Sequence, residues 1–130
     1  MEKPDYKNYN SIALAFLGDA VYERFIQEKI LRSGRIGADK MHKEAVRYVK
    51  AAAQEKSLRA IQGSLTEDEQ AVVRRARNHR ITSKPKNADP ITYKMATAFE
   101  ALLGYLYLDG QEARLAEILD KAAEAADAEQ

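Results

Sequence analysis

Two segments are apolar around almost their whole helical circumference, and they constrain the fold more than any other feature of the sequence. The first begins after Asn10 or Ser11 and runs to about Arg32, and the second runs from Pro90 to Leu108. Apolar residues recur at helical spacing, whereas we find no period-two strand, no hairpin signal and no internal repeat. A helix that is apolar on all sides lies at the centre of a bundle or is shared with a second subunit. The sequence therefore predicts an all-α helical bundle.

Start and stop signals predict the remaining helices. Thr66 and Glu69 have the spacing of a capping box, while Asp89 and Pro90 suit the cap and first turn of the second apolar helix. The other predicted helices cover residues 38–62, as one long or two abutting helices, 66–78 and 112–126. We expect a single domain over residues 1–130, with flexible termini at 1–9 and about 127–130.

Each apolar helix carries a carboxylate that its spacing places among apolar neighbours. These acids are Asp19 in the first helix and Glu100 in the second. Burying a carboxylate without a partner costs several kcal/mol, so each acid needs a base, a hydrogen-bond network or a cation. Gly18 and Gly104 would let the two helices approach closely, which leads us to predict that the two carboxylates converge.

Converging carboxylates favour a hard divalent cation. The chain has no cysteine, so a bound metal would be held by oxygen or histidine, and an oxygen cage suits Mg²⁺, with Mn²⁺ as a substitute. For either acid alone, pairing with an arginine inside the bundle is the simpler interpretation. A salt bridge is also the simpler interpretation of Glu23, one turn after Asp19. His42 and His79 are interpreted as a surface and a loop residue.

Charge is strongly segregated along the chain, although the net charge is only +1. Residues 70–94 carry seven basic side chains against one acid, whereas residues 109–130 carry seven acids against two basic side chains. The basic segment suits a polyanion such as RNA, because local potential governs phosphate attraction. Taken alone, the charge run slightly favours a solvated helix face followed by a basic loop. No apolar run is long enough to span a membrane and no secretory signal is evident, so we expect a cytoplasmic protein.

The two apolar segments that carry Asp19 and Glu100 resemble the active-site helices of the ribonuclease III catalytic domain. The resemblance rests on ALAFLGDAVYE at 13–23 and TAFEALLGYLYLDG at 97–110. RRARNHR at 74–80, KPKNADPITY at 84–93 and the lack of a double-stranded-RNA-binding domain are similar to the Mini-ribonuclease III subfamily. The resemblance implies a homodimeric, metal-dependent endoribonuclease that cuts double-stranded RNA and matures the ends of 23S ribosomal RNA, with a possible large-subunit ribosomal protein partner.

The resemblance also assigns roles to individual residues. Asp19 and Glu100 match the family's metal-binding catalytic acids, whereas Ile12, Ala15 and Thr97 stand where full-length ribonuclease III has further acids. The apolar first helix is the candidate dimer seam. Residues expected to line the RNA path are Arg74, Arg77, Asn78, Lys84, Lys86 and Asn87.

Two other function classes remain open at the sequence level. A non-catalytic duplex-RNA-binding or ribosome-assembly module would keep the fold but lose activity through the missing acids, and the retention of Asp19 and Glu100 argues against it. An all-α nucleotide pyrophosphohydrolase would need Glu-x-x-Glu patterns on adjacent helices, and this sequence has close candidates only at a helix start and in the tail.

Overall fold

A computed structural model describes residues 3–34, 36–80 and 86–128, and within these ranges the regular structure is entirely helical. The predicted all-α fold is thus confirmed. No helix in these ranges combines the length and the apolar character needed to cross a membrane. The helices are α1 (Ser11–Arg32), α2 (Ala38–Val49), α3 (Ala51–Ile61), α4 (Glu67–Arg77), α5 (Pro90–Leu108) and α6 (Glu112–Asp127), with 3₁₀ turns at Tyr6–Asn8 and Gln62–Ser64.

The predicted helix starts are confirmed by their capping hydrogen bonds. The Asn10 side chain accepts from the first backbone N–H groups of α1, and the Asp89 side chain does the same for α5, with Pro90 in its first turn. Thr66 and Glu69 form the full capping box of α4. Each cap satisfies donors that a helix start otherwise leaves without partners.

Residues 38–62 form two abutting helices, which decides between the alternatives left open by the sequence. Lys50 has an extended backbone, with φ −64° and ψ 151°, and separates α2 from α3. The carbonyl of Val49, the last residue of α2, accepts a hydrogen bond from the Gln54 side chain at 2.8 Å. This bond replaces part of the helical bonding that the break removes.

Helix α5 is the central element, and α1, α3 and α4 all pack against it. Phe99 is fully buried and meets Tyr22 of α1 edge to face, with ring centroids 5.0 Å apart. Full burial of one large apolar side chain stabilises a fold by about 1.5–3 kcal/mol. As predicted, α6 presents Ile118 and Leu119 to the core.

The amino-terminal segment, for which we predicted flexibility, has defined contacts over the part that the structure describes. Arg75 on α4 donates to the Asn8 side chain and to the Tyr9 carbonyl. Lys3 pairs with Asp109 at the end of α5, at 3.0 Å. Arg75 therefore serves the fold, which separates it from the other arginines of α4.

A buried ion pair joins α4 to α6. Glu69 is 1 % exposed, and Arg114 donates to both of its carboxylate oxygens, at 2.9 and 2.7 Å. Burial raises the pKa of Glu69, but the hydrogen bonds from Arg114 and from the Thr66 backbone outweigh burial and leave this pKa below its ordinary value. Glu69 therefore caps α4 and also links α4 to α6 through its ion pair with Arg114.

Candidate active site

The site begins at a very close crossing of α1 and α5. A Cβ atom built on Gly18 would lie 1.7 Å from the Glu100 carbonyl oxygen, and one built on Gly104 would lie 2.0 Å from the Leu14 carbonyl oxygen. Only glycine fits at either position, because the obstructing atoms belong to the backbone. The close approach predicted from these two glycines is therefore present.

This crossing brings Asp19 and Glu100 together. The two carboxyl groups lie close enough for Asp19 to change the pKa of Glu100. Burial is the main cause of a raised pKa at Glu100, and the hydrogen bond and negative charge of Asp19 raise it further, to about 8. Asp19 itself is exposed. The predicted convergence of the two carboxylates is present, and it opens toward the surface on the α1 side.

No base among the residues that the structure describes neutralises the pair. Within the described ranges, neither Asp19 nor Glu100 forms an ion pair with lysine, arginine or histidine. The interpretation that each acid pairs with an arginine inside the bundle is therefore wrong for this part of the chain. A partly buried carboxylate next to a second carboxylate leaves a need for positive charge that a cation can meet.

Two more side chains influence Glu100. Gln54 of α3 is 3 % exposed, and its Nε2 donates to Glu100 Oε2 at 3.4 Å. Glu23 is exposed, and its charge adds to the rise in the pKa of Glu100. The salt bridge expected for Glu23 is not found among the described residues, so this acid belongs to the electrostatic surroundings of the pair.

Few acidic side chains accompany Asp19 and Glu100 at this site. No group of three or more His, Cys, Asp or Glu side chains in the described part of the chain has the geometry of a metal site. Ala15 is buried, and the Thr97 hydroxyl donates to the Tyr93 carbonyl at 2.9 Å, so neither position adds a carboxylate. A cation here would need most of its ligands from outside the protein.

Gln54 is a site residue that the sequence did not predict. A glutamine in a segment rich in Ala, Lys and Glu has the appearance of a surface residue. The signal that identifies it is its spacing, because Gln54 lies four and seven residues before Leu58 and Ile61, which are both buried on α3.

The expected RNA-path residues lie around the end of α4 and the start of α5. Arg74 is exposed and Arg77 is half-buried, and neither forms an ion pair with the described residues. Asn78 caps the end of α4. Lys86 and Asn87 are exposed just before α5, with Asn87 in the left-handed region at φ 73°. Lys84 lies outside the described residues.

The outer face of α1 is apolar near the acid pair. Phe16 is 84 % exposed and Ile12 is 47 % exposed, although both lie in a helix whose other side forms the core. One turn of helix separates Phe16 from Asp19 and Ala20. Ile12 and Phe16 lie one turn apart on α1 and form a small exposed apolar patch beside the acid pair.

The Ribonuclease III domain profile matches residues 12–111, a span that includes both acids and the glycine crossing. The chain therefore belongs to the ribonuclease III family and is an endoribonuclease of that type.

Individual relatives within this family carry a more specific name. The chain is 50 % identical over 113 residues to a protein named Mini-ribonuclease 3 from Symbiobacterium thermophilum, covering 87 % of both chains. It is 48 % identical to the Mini-ribonuclease 3 of Brevibacillus brevis, covering 87 % of this chain and 84 % of the other. A crystal structure of a Fusobacterium nucleatum protein superposes with a TM-score of 0.82 at 31 % identity, covering 90 % of this chain and 93 % of that one.

Proposed function

We propose that this chain hydrolyses double-stranded RNA at a divalent-metal site in which Asp19 and Glu100 are the metal-binding catalytic acids. The observation that carries the proposal is the close α1–α5 crossing, which brings these two carboxyl groups within reach of each other, with no basic side chain of the described residues paired to either. Two acids forced together without a base form an arrangement that a cation stabilises.

The residues present fit a Mg²⁺ ion, with Mn²⁺ as a substitute. Both offered ligands are carboxylate oxygens, which hard cations prefer, and Mg²⁺ is typically held by one or two carboxylates while water and phosphate oxygens complete its shell. This matches the small acidic set described above. A bound ion of this kind supplies an activated water and stabilises charge on the phosphate and the leaving oxygen.

The protein's own contribution is to fix the two acids. Asp19 is carried by α1 and Glu100 by α5, and the backbone contact at Gly18 keeps the two helices in register. Partial burial of Glu100 lowers the local dielectric response, which strengthens the attraction between this carboxylate and a cation. The exposed side of Asp19 leaves an approach for the phosphate backbone.

We propose that the basic residues around the α4–α5 connection bind the duplex. A-form RNA is recognised through phosphates, 2′-hydroxyls and shape, which exposed basic and amide side chains can contact. Support comes from the exposure of Arg74, Lys86 and Asn87. The proposed set is Arg74, Arg77, Asn78, Lys84, Lys86 and Asn87, with Glu100 lying about 15 Å along α5 from its first residue.

We propose more specifically that the protein is a cytoplasmic homodimer that matures the ends of 23S ribosomal RNA. A large-subunit ribosomal protein would be a further partner. The exposed Phe16 supports a dimer seam on α1, where a second copy would cover the apolar surface. Two active sites related by a two-fold axis would cut both strands of a stem. The family resemblance supports the ribosomal substrate.

The test compares substrates, metals and variants. The protein is incubated with a 23S precursor stem, an unrelated RNA duplex, a DNA duplex and nucleoside triphosphates, with Mg²⁺ and then with EDTA. We expect metal-dependent cutting of RNA duplexes alone, with the precursor stem cut fastest. Cleavage of triphosphates, or cleavage that survives EDTA, would contradict the proposal.

Charge-removing variants then test the acids. Asp19→Asn and Glu100→Gln should each slow cleavage at least about 100-fold, because they remove metal-binding charge worth several kcal/mol to the transition state. The exposed acids Glu112 and Asp120 on α6 provide the matched controls Glu112→Gln and Asp120→Asn, which should cleave normally. RNA binding without cleavage by the unmodified protein would favour the non-catalytic module instead.

A further inference from the structure

A buried glutamine on a third helix contacts the carboxylate pair. Gln54 donates from Nε2 to Oε2 of Glu100 at 3.4 Å and to the Val49 carbonyl at 2.8 Å. We propose that Gln54 is a positioning residue for the metal site: one amide proton anchors it to the end of α2, and the other orients Glu100 toward Asp19. This inference rests on the proposed metal-binding role of the two acids.

The orientation of the Gln54 amide is fixed by its anchor. If the amide were turned over, Oε1 would face the Val49 carbonyl oxygen, and two acceptors would oppose each other. The donor must therefore stay on the Val49 side, and the same nitrogen carries the second proton toward Glu100. The break between α2 and α3 thus determines which atom Glu100 meets.

The other end of the same amide is an unmet acceptor. Oε1 of Gln54 is buried and has no hydrogen-bond partner among the described residues. Buried polar atoms are nearly always paired, and the exceptions mark places where water, an ion or a ligand completes the bonding. An apolar side chain would fill this part of the core without that cost. A single water molecule is enough to complete the bonding of this acceptor.

The side chain at position 54 has to be a neutral hydrogen-bond donor. An arginine or lysine would neutralise Glu100 and compete with the cation, whereas an apolar residue would leave the carboxylate free to rotate. An amide orients one oxygen of Glu100 and leaves the negative charge available to the metal. Residues that orient metal ligands in this way typically affect metal affinity by about 10- to 100-fold.

The experiment measures metal binding directly, without RNA. Mn²⁺ is titrated into the unmodified protein and into Gln54→Met, and free Mn²⁺ is followed by electron paramagnetic resonance. Methionine keeps the length and volume of glutamine and removes both donors and the acceptor. We expect the Kd for Mn²⁺ to rise by about 10- to 100-fold, and the Mg²⁺ concentration that gives half-maximal RNA cleavage to rise in parallel.

A matched control separates positioning from burial. Ser57 lies one turn later on α3, is fully buried, and donates to the Ala122 carbonyl at 3.0 Å. Ser57→Ala also removes a buried hydrogen bond from α3, yet it should leave the Kd for Mn²⁺ unchanged. Thermal unfolding of each variant verifies that metal binding is measured on folded protein. Should Gln54→Met fail to fold, Gln54→Asn, whose amide is one methylene short of Glu100, takes its place.

The possible results have different meanings. Weaker Mn²⁺ binding in the Gln54 variant alone supports the proposal. An unchanged Kd in that variant, with normal binding by the unmodified protein, overturns the role of Gln54 and leaves the proposed function intact. Equal weakening in Ser57→Ala also overturns it, because loss of a buried bond would then be sufficient. Failure of the unmodified protein to bind Mn²⁺ overturns both proposals.

Discussion

Gly18 packs its α-carbon directly against the backbone carbonyl of Glu100, leaving no room for a side chain between α1 and α5. A methyl group at Gly18 would lie 1.7 Å from that oxygen, far inside van der Waals contact. The nearby Gly104 makes the reciprocal contact with the Leu14 carbonyl. Backbone cannot rotate away as a side chain does, so any substitution must separate the helices that carry the two acids.

Gly18→Ala should therefore lower both stability and activity. We expect a loss of about 3 kcal/mol or more in the free energy of unfolding, at the upper end of the cost of overpacking a core. Urea unfolding and RNA cleavage measure the two effects. Gly63→Ala is the control, because a Cβ atom there would meet nothing within 4 Å. Normal stability and cleavage in Gly18→Ala would mean that this crossing does not hold the acids.

Removing the buried charge of Glu69 should weaken the fold in a pH-dependent way. Glu69→Gln breaks the pair with Arg114, and we expect it to cost roughly 3 kcal/mol at pH 7. The pKa of Glu69 is lowered in the fold, so its contribution is complete above the ordinary value of 4.5. The contribution is lost as the pH falls through the lower pKa of the folded state.

Unfolding midpoints in urea at pH 7, 5 and 3 check this expectation. The difference between the unmodified protein and Glu69→Gln should be largest at pH 7 and smallest at pH 3. Glu117→Gln is the control, because Glu117 pairs with the same arginine but its side chain is 51 % exposed. An exposed pair contributes at most about 1 kcal/mol. Equal effects of both variants would contradict the buried-pair account.

The basic residues around the α4–α5 connection should determine the salt dependence of RNA binding. Lys84→Ala combined with Lys86→Ala, and separately Arg74→Ala with Arg77→Ala, should weaken binding and reduce the slope of log affinity against log salt. Each lost phosphate contact is worth about 0.7 to 0.9 in that slope. Binding is measured with an RNA duplex at several salt concentrations.

A charge on a distant helix provides the control for these variants. Lys121 is exposed on α6, and Lys121→Ala should keep the slope of the unmodified protein. If the double variants also keep that slope, the duplex lies elsewhere on the molecule.

Phe16 should determine the oligomeric state. Phe16→Asp places a charge in the middle of the exposed apolar face of α1, and burying that charge in a dimer would cost several kcal/mol. We expect a dimer for the unmodified protein and a monomer for the variant in analytical ultracentrifugation. Ile91, which is 63 % exposed at the start of α5, provides the control Ile91→Asp. A dimeric Phe16→Asp would place the seam on another surface.

Features encoded in a few neighbouring residues were predictable from the sequence. The caps at Thr66 and Asp89 were predicted correctly, and Asn10 is one of the two caps predicted for α1, because a cap depends on side chains within three residues of the helix start. The contact between α1 and α5 was predictable for a similar reason, since Gly18 and Gly104 stand beside the two acids. A cap depends only on neighbouring residues, and a glycine is recognisable as a small residue, so both signals can be read from a single sequence.

Features that depend on packing between distant segments were not predictable in the same way. Lys50 ends α2 without any glycine or proline to mark the break. Gln54 is buried only because α3 packs against α5. Arg114 meets Glu69 across 45 positions of sequence, and no local pattern pairs them. Periodicity indicates which face of a helix is buried, but it does not name the polar partner on the other side.

Because the backbones of α1 and α5 touch, the number of residues in α1 near the crossing cannot change without moving Asp19. Adding one residue between Leu14 and Asp19 would turn the acid by about 100° around the helix axis and point it away from Glu100. Connections between helices are under no such constraint, since a loop absorbs extra residues at small entropic cost. Among homologous chains, insertions and deletions should therefore accumulate between helices and be absent from the middle of α1.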